Sequence, residues 1–211
     1  MEFVSSLVGH LVWPLVVVVL VWIFRSSIAG LIGQLSSWEG LGQKVRFGRE
    51  LARVEEGVAE VAERVEAQAD AAAVEGKSPT PEITESDPFI ALRKDAESNP
   101  SHVILASWEL LAGSLKDLFG TVAAHRQLSS VGDRIWQDAV QMTRRLEVAG
   151  TVNHDMTNSV EELRRLRNLV AHGRYKPTPG EALAYEETAR ELSRAAIVLA
   201  NLEVQQTARS Q

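Results

Sequence analysis

The sequence predicts an all-α protein with an N-terminal transmembrane helix, a short coiled-coil-like stalk helix and a C-terminal antiparallel helical bundle. Three observations lead there. An uncharged apolar run, VSSLVGHLVWPLVVVVLVWIF, fills residues 4–24. Beyond it, apolar residues return every three or four positions, the period of a helix face, and no segment holds the alternation of a half-buried sheet. The apolar content is mostly Leu, Val and Ala with only 6% aromatics, which suits packed helices better than a β-sandwich.

The anchor is assigned to residues 1–25. Twenty-one uncharged residues rise about 30 Å as a helix, close to the hydrocarbon thickness of a bilayer. Glu2, rather than Lys or Arg, follows Met1, which disfavours a cleaved signal peptide, although Ser27-Ile28-Ala29 offers a cleavage site. The first cation, Arg25, follows the run, with Lys44, Arg46 and Arg49 beyond it. The positive-inside tendency then places the remainder in the cytoplasm. The expected location is the inner membrane of the cell, crossed once, with the membrane itself as a partner.

Residues 26–48 form a juxtamembrane segment in which Lys44-Val45-Arg46-Phe47 alternates like a strand too short to stand alone. The stalk helix covers 49–75. Leu51, Val54, Val58, Val61, Val65, Gln68 and Ala72 make a heptad seam, which suits self-association in a dimer or packing on its own domain equally well. Residues 76–87 carry the Pro, Ser and acid content of a linker.

The bundle is assigned to 88–203, with a tail at 204–211. A short helix is expected from Pro88 to Asn99 and a longer one from Ser101 to about Val122. A third runs from about Ser130 to Val148, with Val131, Ile135, Trp136, Ala139, Met142 and Leu146 inward. The fourth spans about Thr157 to Ala171 and stops at Gly173. The fifth opens at Thr178-Pro179-Gly180-Glu181, which carries three start signals in four residues, and continues to about Leu202.

Charge is uneven along the chain. Residues 1–88 hold 7 Lys/Arg against 13 Asp/Glu, and residues 89–211 hold 15 against 15. The bundle is neutral and has room for a local basic patch, while the acidic whole argues against indiscriminate nucleic-acid binding. No cysteine is present, which removes disulfides, thiol nucleophiles and Cys-ligated zinc.

Chemistry concentrates in the fourth helix. Val160, Leu163, Arg167 and Val170 share one helical face, so an arginine sits inside an apolar stripe. A buried guanidinium must pair within the fold or face a polar cleft. Five residues on, His172 ends the helix, where the helix dipole favours a positive group. From Arg164 to Lys176 there are five Lys/Arg and no acid.

Arg167-Asn168-Leu169-Val170-Ala171-His172 resembles the Arg-polar-x-x-x-His signature of HEPN domains (higher eukaryotes and prokaryotes nucleotide-binding). ELRRLRNLVAHG and the following GEALAYEETARELS resemble the motif helix and last helix of that all-α superfamily. NPSHVILASWELLAGSLKDL resembles its first long helix in bacterial members behind a membrane anchor; the likeness spans about residues 88–203. It implies a homodimer whose two motif helices form one metal-independent site that cleaves RNA, in a possible defence or stress effector. His172 would be the acid/base group on the ribose 2′-hydroxyl or leaving oxygen. Arg167 would stabilise phosphate charge, and Asn168 would orient the phosphate or the histidine. Arg164, Arg174 and Lys176 are the candidate substrate-binding cations and Glu109 a supporting acid. Tyr175 stands three residues after His172, where some members place a tyrosine at two, so it is given no catalytic role.

The same residues also suit a capping and packing device, with Arg167 bridging to an acid on a neighbouring helix. The alternative function is therefore a non-catalytic, membrane-anchored adaptor or sensor whose bundle binds a protein or nucleotide. No cofactor and no metal are expected. His154 beside Asp155 lacks a third ligand, His102 and His125 read as surface or capping residues, and no Gly-rich phosphate loop or zinc-helix motif occurs.

Overall fold

A computed structural model describes residues 46–71, 87–126 and 138–209, all within one compact unit. Every element among them is helical. They are α1 (46–71), α2 (Pro88–Leu92) with a 3-10 turn at Arg93–Asp95, α3 (Pro100–His125), α4 (Ala139–Val148), α5 (His154–Ala171) and α6 (Pro179–Arg209).

The expected single-pass inner-membrane location is corrected. Among the described residues no helix is long and apolar enough to cross a membrane. The apolar run assigned to the anchor at 1–25 lies outside them, as do most of the 26–48 segment, residues 72–75 of the stalk with Ala72, residues 76–86 of the linker, and 127–137 with Val131, Ile135 and Trp136.

The stalk helix proves to be part of the bundle. Phe47, Leu51, Val54, Val58, Val61, Val65 and Ala69 are all buried in the common core. Their spacing follows the 3.6-residue turn of a straight helix rather than a strict heptad, so Ala69 replaces the expected Gln68. Its neighbours include α5, where Arg64 Nη1 donates to Asp155 Oδ2 at 2.6 Å and a Cβ at Gly57 would lie 3.3 Å from Ser159 Oγ, and Leu199 of α6, which lines a cleft with Val61 and Val65. The short strand expected at 44–47 is overridden at its described end, because Arg46 and Phe47 already belong to α1 and Phe47 is fully buried.

The single helix expected from Pro88 to Asn99 is broken. Asp87 caps α2 by accepting from the Phe89 amide, but its helix ends at Leu92 and tightens into the 3-10 turn. Asn99 restarts the chain, its side chain accepting from the His102 amide ahead of Pro100 at the first helical position. The buried face of α3 includes Val103, Ile104, Trp108, Leu111, Leu115, Leu118 and Phe119, and its main partner is α6. In α4, capped by Asp138, Ala139, Met142 and Leu146 point inward as expected.

The turn from α5 to α6 positions the site. Gly173 has a φ of 65°, which a side chain rarely adopts. Its amide donates to the Val170 carbonyl at 2.9 Å and that of Arg174 to Leu169, also at 2.9 Å, the paired bonds of a Schellman motif. At the other end, Thr178 and Glu181 form a reciprocal capping box, amide to carboxylate at 2.7 Å and amide to hydroxyl at 3.3 Å. Between them Tyr175 is buried, its ring stacked on Phe47 of α1 at 4.4 Å and its hydroxyl donating to Glu181 at 2.7 Å. Burial and that carboxylate push the Tyr175 phenol up. Helix α6 continues past the expected end near Leu202 to Arg209, and Glu203 is clamped there by Arg126 Nε at 2.7 Å and Nη2 at 2.8 Å.

Candidate functional site

The last two turns of α5 carry the site. Val160, Leu163 and Val170 are buried as their shared face requires, and Arg167 stands among them at 30% side-chain exposure. Two contacts and one unmet donor define it. Arg167 Nη1 donates to Asn168 Oδ1 at 3.2 Å, and Nη2 donates to Glu109 Oε1 of α3 at 3.3 Å. Arg167 Nε is buried and has no acceptor among the described residues. Behind the guanidinium lies Tyr185 of α6, fully buried, its hydroxyl donating to the Leu163 carbonyl at 3.0 Å. Burial pushes the Tyr185 phenol far up; the Arg167 charge pulls it down and Glu109 pushes it up, which places all three in one electrostatic neighbourhood.

His172 is the C-cap of α5. Its amide donates to the Asn168 carbonyl at 3.1 Å, which fixes the backbone, while its imidazole is exposed with no partner among the described residues. Five residues of helix turn the chain by about 140°, so His172 leaves the helix on a different side from Arg167. The structure therefore joins Arg167, Asn168 and Glu109 by direct contacts and holds His172 apart at the helix end.

The three candidate binding cations differ. Arg164 is committed to Asp138, the cap of α4, with Nη1 at 3.1 Å from Oδ2. Arg174 and Lys176 are exposed on the turn beside His172, with no ion pair among the described residues. The free positive field is thus narrower than five cations between Arg164 and Lys176 suggest.

Arg167 and Glu109 also line an open groove of about 620 Å³ between α2, α3 and α5. Its walls are mostly aliphatic, with Leu92, Leu105, Ala106, Leu110 and Ala171, and His102 stands at its other end. Sequence reasoning set His102 aside as a lone residue. The available signal was its spacing from Glu109, since residues seven apart share a helix face. Tyr185 was missed because an aromatic at helical spacing reads as ordinary core.

The other histidines are structural or superficial. His154 opens α5, exposed, with Nδ1 at 2.9 Å from Glu147 Oε1, while its neighbour Asp155 serves Arg64. Among the described residues no group of three or more His, Asp or Glu gathers to hold a metal ion.

A second charged centre lies on α6. The Glu186 side chain has no exposure; Arg93 Nε donates to its Oε2 at 2.8 Å, and Arg190 Nε stands 3.8 Å from Oε1. Burial pushes the Glu186 carboxyl up, against the pull of the Arg93 charge. Neighbouring Glu187 is also pushed up by burial, but the Arg190 and Arg93 contacts outweigh this and hold its carboxyl low.

No family model, curated protein or solved structure matches the chain.

Proposed function

We propose that the chain is a HEPN-like ribonuclease that works without metal, through Arg167, Asn168 and His172 at the end of α5. The observation that carries this reading is the pairing of unlike environments five residues apart. A half-buried guanidinium is held in one orientation by Asn168 and Glu109, and an exposed imidazole without a partner follows at the rigid helix cap. A packing device would have buried and satisfied both.

The chemistry follows from those atoms. His172 accepts the proton of a ribose 2′-hydroxyl as O2′ forms its bond to phosphorus, or returns a proton to the departing 5′-oxygen. The products are a 2′,3′-cyclic phosphate and a 5′-hydroxyl. Arg167, already oriented but on a different side of α5, meets the charge that grows on the non-bridging oxygens when the phosphate lies between two copies, and Arg174 and Lys176 hold the flanking backbone. A second copy presenting its own α5 would bring two imidazoles to one phosphate, one for each proton transfer. Cleavage of labelled RNA by the full chain in EDTA tests this. Wild type should release cyclic-phosphate ends and His172→Ala should not; equal cleavage by both, or none by either across varied RNAs, sinks the reading.

One observation favours a non-catalytic binding bundle instead. Leu183, Ile197 and Val204 are exposed on α6 at intervals of fourteen and seven residues, hence along one stripe. A partner helix on that stripe would serve an adaptor or sensor.

A further inference from the structure

We infer that the groove beside Arg167 is a subsite for an unpaired guanine base, resting on the ribonuclease reading for the phosphate that Arg167 would hold. The groove adjoins the guanidinium directly, so a nucleotide with its phosphate on Arg167 has its base within reach of the groove. The walls suit a flat ring. Ala106 and Ala171 lack bulk, and Leu92, Leu105 and Leu110 supply apolar surface around them. Single-stranded bases are held in this way, with faces on apolar or guanidinium surfaces and edges hydrogen-bonded.

The choice of base comes from Glu109. Its side chain is 68% exposed, Oε1 takes Arg167 Nη2, and Oε2 has no partner among the described residues. An ionised carboxylate only accepts hydrogen bonds. The guanine edge presents two adjacent donors, N1–H and the 2-amino group. Adenine and cytosine each set one amino donor beside a ring-nitrogen acceptor, and uracil sets its N3–H between two carbonyls. Only guanine meets the carboxylate with donors alone. His102, seven residues before Glu109 on α3 and about 10 Å away along the axis, closes the far end.

Calorimetric titration of the full chain with GMP, AMP, CMP and UMP at fixed salt tests this apart from cleavage. GMP should bind at least about tenfold tighter than the other three, the discrimination expected of one good bidentate contact. Glu109→Gln should reduce GMP to the level of the others. Ala106→Phe should fill the groove and remove binding of all four, with helical circular dichroism unchanged. Equal binding of the four nucleotides, no binding, or a GMP preference that survives in Glu109→Gln overturns the proposal. So does a change in sedimentation of the ligand-free protein on Ala106→Phe, which would give the groove to a second copy. RNA cleavage that depends on His172 but comes without GMP preference removes the subsite and leaves the ribonuclease. GMP preference without RNA cleavage removes the ribonuclease and leaves a guanine nucleotide site.

Discussion

Two of the arginine–glutamate pairs that link helices in this bundle are built differently. Arg93 and Glu186 meet at 2.8 Å with the glutamate wholly buried, and Glu187 and Arg190 join them in one network. Arg167 and Glu109 meet at 3.3 Å with the glutamate mostly in solvent and a groove beside them. The first pair holds α6 to the turn after α2, and its unmet atoms, Glu186 Oε1 and Arg190 Nε, are shut away from solvent. The second pair borders an open groove, and Glu109 keeps one carboxylate oxygen without a partner among the described residues. Access, rather than ion pairing itself, separates the two.

The comparison breaks most sharply at Arg167. Under the proposed ribonuclease reading, Arg167→Ala should lower RNA cleavage by about 100-fold to 1,000-fold, the cost of losing one oriented charge at a developing oxyanion. Its urea unfolding free energy should change by less than about 1 kcal/mol, because exposed pairs contribute little. A loss of stability equal to that of the buried pair would erase the distinction. The opposite pattern is expected at Glu186. Glu186→Ala should cost about 3 kcal/mol in urea unfolding, since it empties a buried site and leaves Arg93 and Arg190 to share Glu187 alone. Cleavage per folded molecule should hold.

Acidity sharpens the same contrast. Burial raises the Glu186 carboxyl above its ordinary 4.5, so the folded state holds that proton more tightly than the unfolded state. Its contribution is fully present below pH 4.5 and is lost as pH rises through the raised value. Wild type should therefore lose stability relative to Glu186→Gln as the buffer moves upward from pH 4.5, followed by urea midpoints. A flat difference would show that Arg93 fully offsets the burial.

Smaller effects test the frame around the site. Gly173→Ala forces a side chain into a φ of 65° and should cost about 1 kcal/mol in thermal unfolding. Gly57→Ala gains helix propensity but meets Ser159 Oγ at 3.3 Å. Because a serine hydroxyl can turn away, the net change should stay within about 0.5 kcal/mol of zero; a loss above about 1.5 kcal/mol would mean that α1 and α5 have no slack.

The helices were legible because their faces repeat and their caps are chemically explicit. Thr178-Pro179-Gly180-Glu181 reads as a helix start in the sequence and forms that capping box in the fold. The partner of a face was not legible. Three turns of valine spaced by three and four look alike whether covered by α5 or by another chain, because the two periods diverge slowly. The break at Leu92 was hidden for a similar reason: no Pro or Gly interrupts residues 89–98. At the site, the anomaly of Arg167 in an apolar stripe was visible, but its link to Glu109, fifty-eight residues earlier, needed the helix packing.

The Phe47–Tyr175 stack bears on how the molecule reaches its working form. Helices α5 and α6 and both their caps are assembled from neighbours in sequence, so they have the means to form early. The aromatic lock on the turn between them comes from the first turn of α1, near the opposite end of the described chain. Contacts so distant in sequence carry a large closure entropy and are slow to form. The turn that carries His172 is thus completed only when α1 docks, so the order of that turn reports on a helix far away in sequence.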